Sequence, residues 1–279
     1  ITDTAIVGNI PVDGLESLAA AGIVGSFLSM LIWVLGQTRS AISAIISQYL
    51  GAGKIQEVED LPAQAIFLNL MLSLVLLVGT IFIVEEIFML FEASGKILDY
   101  CISYYSIRVW GFPLTLFTFA VFGIFRGLQN TYYPMVIAIV GAVLNIVLDF
   151  IMVYGIEGVV PAMFLEGAAW ASLISQGVMA ILVFFLLRAK TDISLKLRFP
   201  FNKELKRLIF MSLNLFVRAL ALNTALIVAV REATVLGDRF IGAHTIAVNL
   251  WLFSAFFIDG YAAAGNSMGG KLLGEKDYN

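Results

Sequence analysis

Seven stretches of this chain, each more than twenty residues long and predominantly apolar, constrain its fold more than any motif does. They run from Leu18 to Leu50, Leu61 to Val84, Tyr100 to Phe125, Pro134 to Tyr154, Ala162 to Leu187, Leu205 to Val230 and Ile241 to Gly269. At about 1.5 Å per residue, a helix of that length crosses a hydrocarbon core about 30 Å thick. Lipid-facing backbone must satisfy its hydrogen bonds within its own segment, and these runs lack the alternation of barrel strands, so all seven are predicted to be helices. Composition agrees, because only 13% of the 279 residues are charged where a soluble domain carries about a quarter. The expected class is an all-α polytopic membrane protein, with the lipid bilayer as its first partner.

The charges that remain exclude several functions. A net charge of -3 gives no basic footprint for nucleic acid. Cys101 is the single cysteine, so neither an intramolecular disulfide nor a cysteine metal site is available. No Gly-x-x-x-x-Gly-Lys-Ser/Thr occurs, which leaves an ion gradient or a partner protein as the energy source and no nucleotide. Basic residues fall in alternate loops. Lys54, Arg126, the cluster Arg188, Lys190, Lys196, Arg198, Lys203, Lys206 and Arg207, and then Lys271 and Lys276 occupy one set; Lys96, Arg231 and Arg239 occupy the other. The first set is predicted to be cytoplasmic, with 188–207 as a cytoplasmic linker. The fragment Ile1 to Ile10, ended by Pro11, reads as the last half of a span, and the chain reads as cut at both ends.

Sliding the Leu18 run along the chain by 223 residues sets Leu18 to Ile23 over Ile241 to Ile246, and Leu50-Gly51 over Leu273-Gly274. Counting the fragment as span one, these are spans two and eight, which cross in the same direction. Two parallel pseudo-repeat lobes follow, a common transporter plan. The expected organisation is an N-lobe over 1–190, a linker over 191–204 and the start of a C-lobe over 205–279.

Several motifs recur in a known order. They are Asp3-Thr-Ala-Ile-Val-Gly8, Leu50-Gly-Ala-Gly-Lys54, Phe125-Arg-Gly-Leu-Gln-Asn-Thr131 with Pro134, Asn145-Ile-Val-Leu-Asp149, and Asp259-Gly260. With these the chain resembles the multidrug and toxic compound extrusion (MATE) transporters of the MOP superfamily, most closely their DinF-like branch. The resemblance runs from the end of helix one through helix eight of a twelve-helix fold. It implies efflux of organic compounds across a bacterial inner membrane by a monomer.

Intramembrane ionisable residues cost at least ~2.5 kcal/mol at mid-bilayer and face a cavity or a partner by default. Asp149 lies roughly 8 Å below the helix end marked by Tyr154, and Asp3 is roughly 9 Å below Asn9, so the two carboxylates are expected at one level. Asn145, at i and i+4 with Asp149, shares its helix face and is expected to orient it. Desolvation and a neighbouring carboxylate both raise an Asp pKa, which makes the pair a proton switch. The same oxygens suit Na⁺ at Asp149 and Asn145, so the coupling ion, H⁺ or Na⁺, stays open and no other cofactor is expected. The competing reading makes Asp3 a helix cap and gives Asp149 a backbone or Tyr154 hydroxyl partner. Ser172, Arg39, Arg218, Asn249, Trp251 and Asp259 are the candidates for a cavity lining. Asp259-Gly260 is expected to mark a closely packed kink, and Pro113 to bend its helix.

The resulting expectation is a secondary antiporter that exports an organic, cationic or amphipathic compound in exchange for H⁺ or Na⁺. A lipid or lipid-linked oligosaccharide flippase of the same superfamily is the alternative, for which Arg39, Arg108 and Arg218 are the available cations. An intramembrane enzyme is the remote one, since one His far from one Cys supplies no nucleophile and base.

Overall fold

A backbone surrounded by apolar side chains and lipid has one local way to pair its N–H and C=O groups, and the apolar runs fold accordingly as helices. The computed structural model describes residues 6–10 and 13–276. The helices are α1 (Gly14–Leu35), α2 (Thr38–Gly51), α3 (Leu61–Ile81), α4 (Val84–Met89), α5 (Gly95–Arg108), α6 (Gly111–Gly127), α7 (Tyr132–Tyr154), α8 (Phe164–Lys190), α9 (Lys203–Val235) and α10 (Asp238–Glu275). A 3-10 turn, Ile55–Val58, precedes α3. Among the described residues the only β pairing is the isolated bridge between Ile156 and Val160. Six helical paths are long and apolar enough to cross a membrane, α1 and α2 forming one of them, and the pair α5 and α6 makes a seventh.

Tertiary contacts modify three of the predicted elements. The Leu18 to Leu50 run is not one unbroken α-helix. It is interrupted at Gly36 and Gln37, where α6 packs so closely that a Cβ on Gly36 would lie 2.9 Å from the Phe119 ring. The Leu61 to Val84 run ends at Ile81, and Val84 begins the short α4. The close packing expected at Asp259-Gly260 is absent: a Cβ on Gly260 would meet nothing within 4 Å, and α10 continues through it without a break in its helical pattern. The expected bend at Pro113 is present one turn earlier. Helices α5 and α6 meet at 47°; Pro113 has no N–H to offer the Val109 carbonyl, which accepts instead from Phe112 N–H at 3.1 Å.

Alternate loops gather at opposite ends of the molecule. At one end, the extended 191–202 segment is tied to the turn before α3. Arg198 pairs with Glu59 at 2.7 Å, and Asn202 donates from its side chain to the Glu57 carbonyl at 2.8 Å. Arg207 donates to the Gln48 side chain at 2.8 Å. This is the linker end. At the opposite end Tyr100 and Lys96 of α5 hold Asp13, at 2.8 and 3.2 Å. The Tyr154 hydroxyl donates to the Ile6 carbonyl at 3.0 Å, which fixes the short helical turn beginning at Ile6 against the end of α7. Two apolar cores follow the same division. One joins Val7, Val24, Phe88, Tyr105 and Ala168, and the other joins Ile46, Leu61, Ile124, Val183 and Leu187 near the linker end.

Candidate functional site

Glycines decide how closely α7 and α8 approach. A Cβ on Gly141 would strike the Met179 thioether, with the Met179 Cγ at 2.6 Å, and a Cβ on Gly167 would lie 2.6 Å from the Met152 carbonyl carbon. The two helices therefore touch at both ends of the segment that carries Asn145 and Asp149. Between these contacts the Asn145 side-chain amide donates to Ser172 Oγ at 3.3 Å. Asp149 is fully buried, and Ser172 nearly so. Val153, one turn after Asp149 on α7, joins the Ile6-Val7 turn, Leu165, Ala168 and Ala169 in one apolar cluster. A carboxylate in such surroundings has lost most of its water, so its charge is sensitive to a proton, a cation or a rearrangement of the helices.

Of the sequence-predicted residues, Asp149, Asn145 and Ser172 are brought together. The hydrogen bond Asn145 forms runs to Ser172 on the neighbouring helix. Asp3 lies outside the described residues. Arg39 stacks on Phe119, its guanidinium carbon 5.1 Å from the ring centroid, and faces the charge of Asp259. Arg218, Asn249, Trp251 and Asp259 are on exposed positions of α9 and α10 and are not gathered with Asp149. A depression of about 600 Å³ in the Tyr154–Ala162 loop does not have Asp149 in its lining.

Sequence reasoning missed a second feature, the crossing of α2 and α10. At the end of α1, Trp33 meets Phe256 of α10 at 5.5 Å between ring centroids, and within the crossing a Cβ on Gly270 would strike the Ser47 hydroxyl. Both pairs are separated by 223 residues, the offset at which the two runs align in sequence. A Cβ on Gly51 would strike the Lys271 carbonyl, and one on Gly274 would strike the Gln48 carbonyl. Adding 223 to Gln48 and Gly51 gives Lys271 and Gly274, so these two contacts exchange partners. Reciprocal pairing of this kind belongs to an interface on a two-fold axis. The crossing is reinforced beside it. Gln129, whose left-handed φ of 62 ends the α6 turn, donates to the Ser267 carbonyl at 2.8 Å, and Asn266 donates to the Ser40 carbonyl at 3.2 Å. The Gly270 and Gly274 spacing, small residues one helical turn apart, was the available signal.

The Phe125–Thr131 motif acquires a physical role at four of its positions. Phe125 is buried, Gly127 admits the Ile46 side chain, Gln129 reaches α10, and Asn130 Oδ1 accepts from the N–H groups of Tyr132 and Tyr133 at 3.2 and 3.4 Å, capping α7.

Known proteins share this arrangement. Over 99% of the chain the fold superposes on a crystal structure of MATE in complex with MaD3S, with a TM-score of 0.88 at 24% identity and 62% of that chain covered. Protein DETOXIFICATION 43 of Arabidopsis thaliana is 32% identical over 71% of the chain, and DNA damage-inducible protein F of Escherichia coli K12 is 28% identical over 99%. The chain spans 38% and 60% of the lengths of these two relatives. The sequence model of the MatE family matches residues 1–151, more than half of the chain. On that match and this fold, the protein belongs to the MatE family.

Proposed function

We propose that this protein is the part of a secondary antiporter that carries the coupling-ion site, exporting an organic, cationic or amphipathic compound in exchange for H⁺ or Na⁺. The observation that carries the proposal is Asp149, a carboxylate fully buried inside a membrane-crossing helix beside the Asn145–Ser172 hydrogen bond. Membership in a family whose relatives include a Vibrio cholerae multidrug resistance protein supports transport rather than catalysis. In this reading Asp149, with Asp3, takes up the ion, and Asn145 and Ser172 set the spacing of α7 and α8 around it. The N-lobe is 1–190 and the C-lobe begins at 205, with the linker 191–204 between them. The seven basic residues at 188–207 put that linker in the cytoplasm of a bacterial cell, and the crossing of α2 with α10 closes the space between lobes on that side. Energy comes from the ion gradient, with no nucleotide, and a monomer suffices.

Proteoliposomes loaded with a fluorescent cationic drug test the reading. A pH gradient or a Na⁺ gradient should drive drug movement in the opposite direction to the ion. Movement in neither gradient contradicts the proposal. Scrambling of a labelled lipid in the same vesicles would instead favour a flippase.

A further inference from the structure

The segment between α8 and α9 sends its apolar residues in two directions. Ile193 and Leu195 pack inward, against the core near the linker end. Phe199 and Phe201 do not: they are 71% and 47% exposed, with ring centroids 4.8 Å apart. Their outward placement is fixed from below. The buried Gln64 side chain, in the first turn of α3, donates to the Arg198 carbonyl at 3.3 Å and accepts from the Asn202 N–H at 3.0 Å, so one amide clasps the backbone on both sides of Phe199-Pro200-Phe201. Arg198 adds ion pairs with Glu59 and Asp60 at 2.7 and 3.5 Å, and Asn202 Oδ1 accepts from the Glu204 N–H at 2.9 Å at the start of α9. The three residues form a tip with a fixed base.

An exposed aromatic pair rimmed by polar groups marks a contact with a membrane or with another molecule. Position and charge select the membrane. The helical paths that flank the tip, through α3 and α9, are both long and apolar enough to cross it. Within its first two turns α9 already exposes Ile209 and Phe210, so Phe199 and Phe201 stand where headgroups meet acyl chains. Lys196, Lys203 and Lys206 flank them in sequence, exposed and outside every salt bridge among the described residues. We propose that the Phe199–Phe201 tip is an interfacial anchor for anionic phospholipid: the two rings enter the boundary between headgroups and acyl chains, and the three lysines face the lipid phosphates. Through Gln64 the anchor moors the linker and the start of α3 to the bilayer surface.

The depth of a spin label tests this. The full-length protein with Cys101→Ser and a label on Phe201→Cys is placed in nanodiscs of phosphatidylcholine, with or without phosphatidylglycerol, and collisions of the label with oxygen and with a water-soluble nickel chelate are compared. With phosphatidylglycerol present the label should meet oxygen rather than nickel. Lys203→Gln and Lys206→Gln should each lower the ratio of docked to undocked label by about fivefold, and Phe199→Ser should lower it in both lipids. A label on Glu157→Cys, in the loop at the opposite end, should keep its mobility throughout and certifies that the variants are folded. A Phe201→Cys label open to nickel in both lipids overturns the anchor. Shielding from oxygen and nickel alike overturns it too, because protein, from this chain or a second copy, would then cover the tip. Docking that ignores both phosphatidylglycerol and the lysine variants removes the anionic lipid from the account.

Discussion

Gly51→Ala is the change that most directly asks whether the α2–α10 crossing is a gate or permanent packing. The added methyl would strike the Lys271 carbonyl oxygen and lie 2.8 Å from its carbon and 3.0 Å from the Lys271 Cα. These are backbone atoms, which cannot rotate aside, so the helices must separate. Overpacking of this kind costs about 1–3 kcal/mol, and the conformer with α2 against α10 bears all of it. Alanine also raises helix propensity by about 1 kcal/mol, equally in every folded conformer. Global stability should therefore change little, while the closed-to-open ratio of the crossing falls by roughly five- to 150-fold. Gly274→Ala, the reciprocal position, should act alike. Gly265→Ala should not, because nothing lies within 4 Å of its Cβ. Spin labels at Glu57 and Leu273, which line one depression beside the crossing, would report the change in proteoliposomes as loss of the short inter-label distance. An unaltered distance distribution combined with a lower Tm would refute the gate and make the crossing structural.

Two other outcomes follow from the ends of the molecule. The Tyr100 hydroxyl, and after it Lys96, hold the Asp13 carboxyl below its ordinary value of 3.8; a depressed carboxylate stabilises the fold fully above that value and loses its contribution as pH falls through the lower one. Tyr100→Phe should move the Asp13 titration upward, measured by carboxyl NMR, and an unmoved titration would contradict the contact. A cysteine at Lys196 should react with an impermeant reagent in inverted vesicles and stay unreactive in intact cells, and the opposite pattern would invert the orientation.

Hydropathy made the crossings legible because a membrane leaves helices as the local solution for an apolar run. What it did not carry was contact between runs. The close approach at Gly36 is to Phe119, some eighty residues away, and Gly260 has open space around it instead of a packing partner. Both are invisible to a glycine count. Asp149 was legible through its rarity, a charge among apolar neighbours. Its neighbour Asn145 was placed on the correct face by the four-residue spacing, but periodicity along α7 could not name Ser172, because that partner is set by the approach of α8 at Gly141 and Gly167. The repeat offset of 223 held the missed crossing in plain form. Alignment put Leu50-Gly51 over Leu273-Gly274, and a two-fold axis brings such equivalent positions together.

The central claim, that Asp149 exchanges an ion for substrate, is tested most directly by the ions released when a cationic drug binds. In weakly buffered detergent solution the wild type should release a proton on binding ethidium, or, in Na⁺-equilibrated protein, a sodium ion detected by a Na⁺ electrode. Asp149→Asn keeps the side chain's size but removes its titration, so ethidium should bind with neither release. Release of the same ion in the same amount by Asp149→Asn would contradict the account and move the coupling site to another residue.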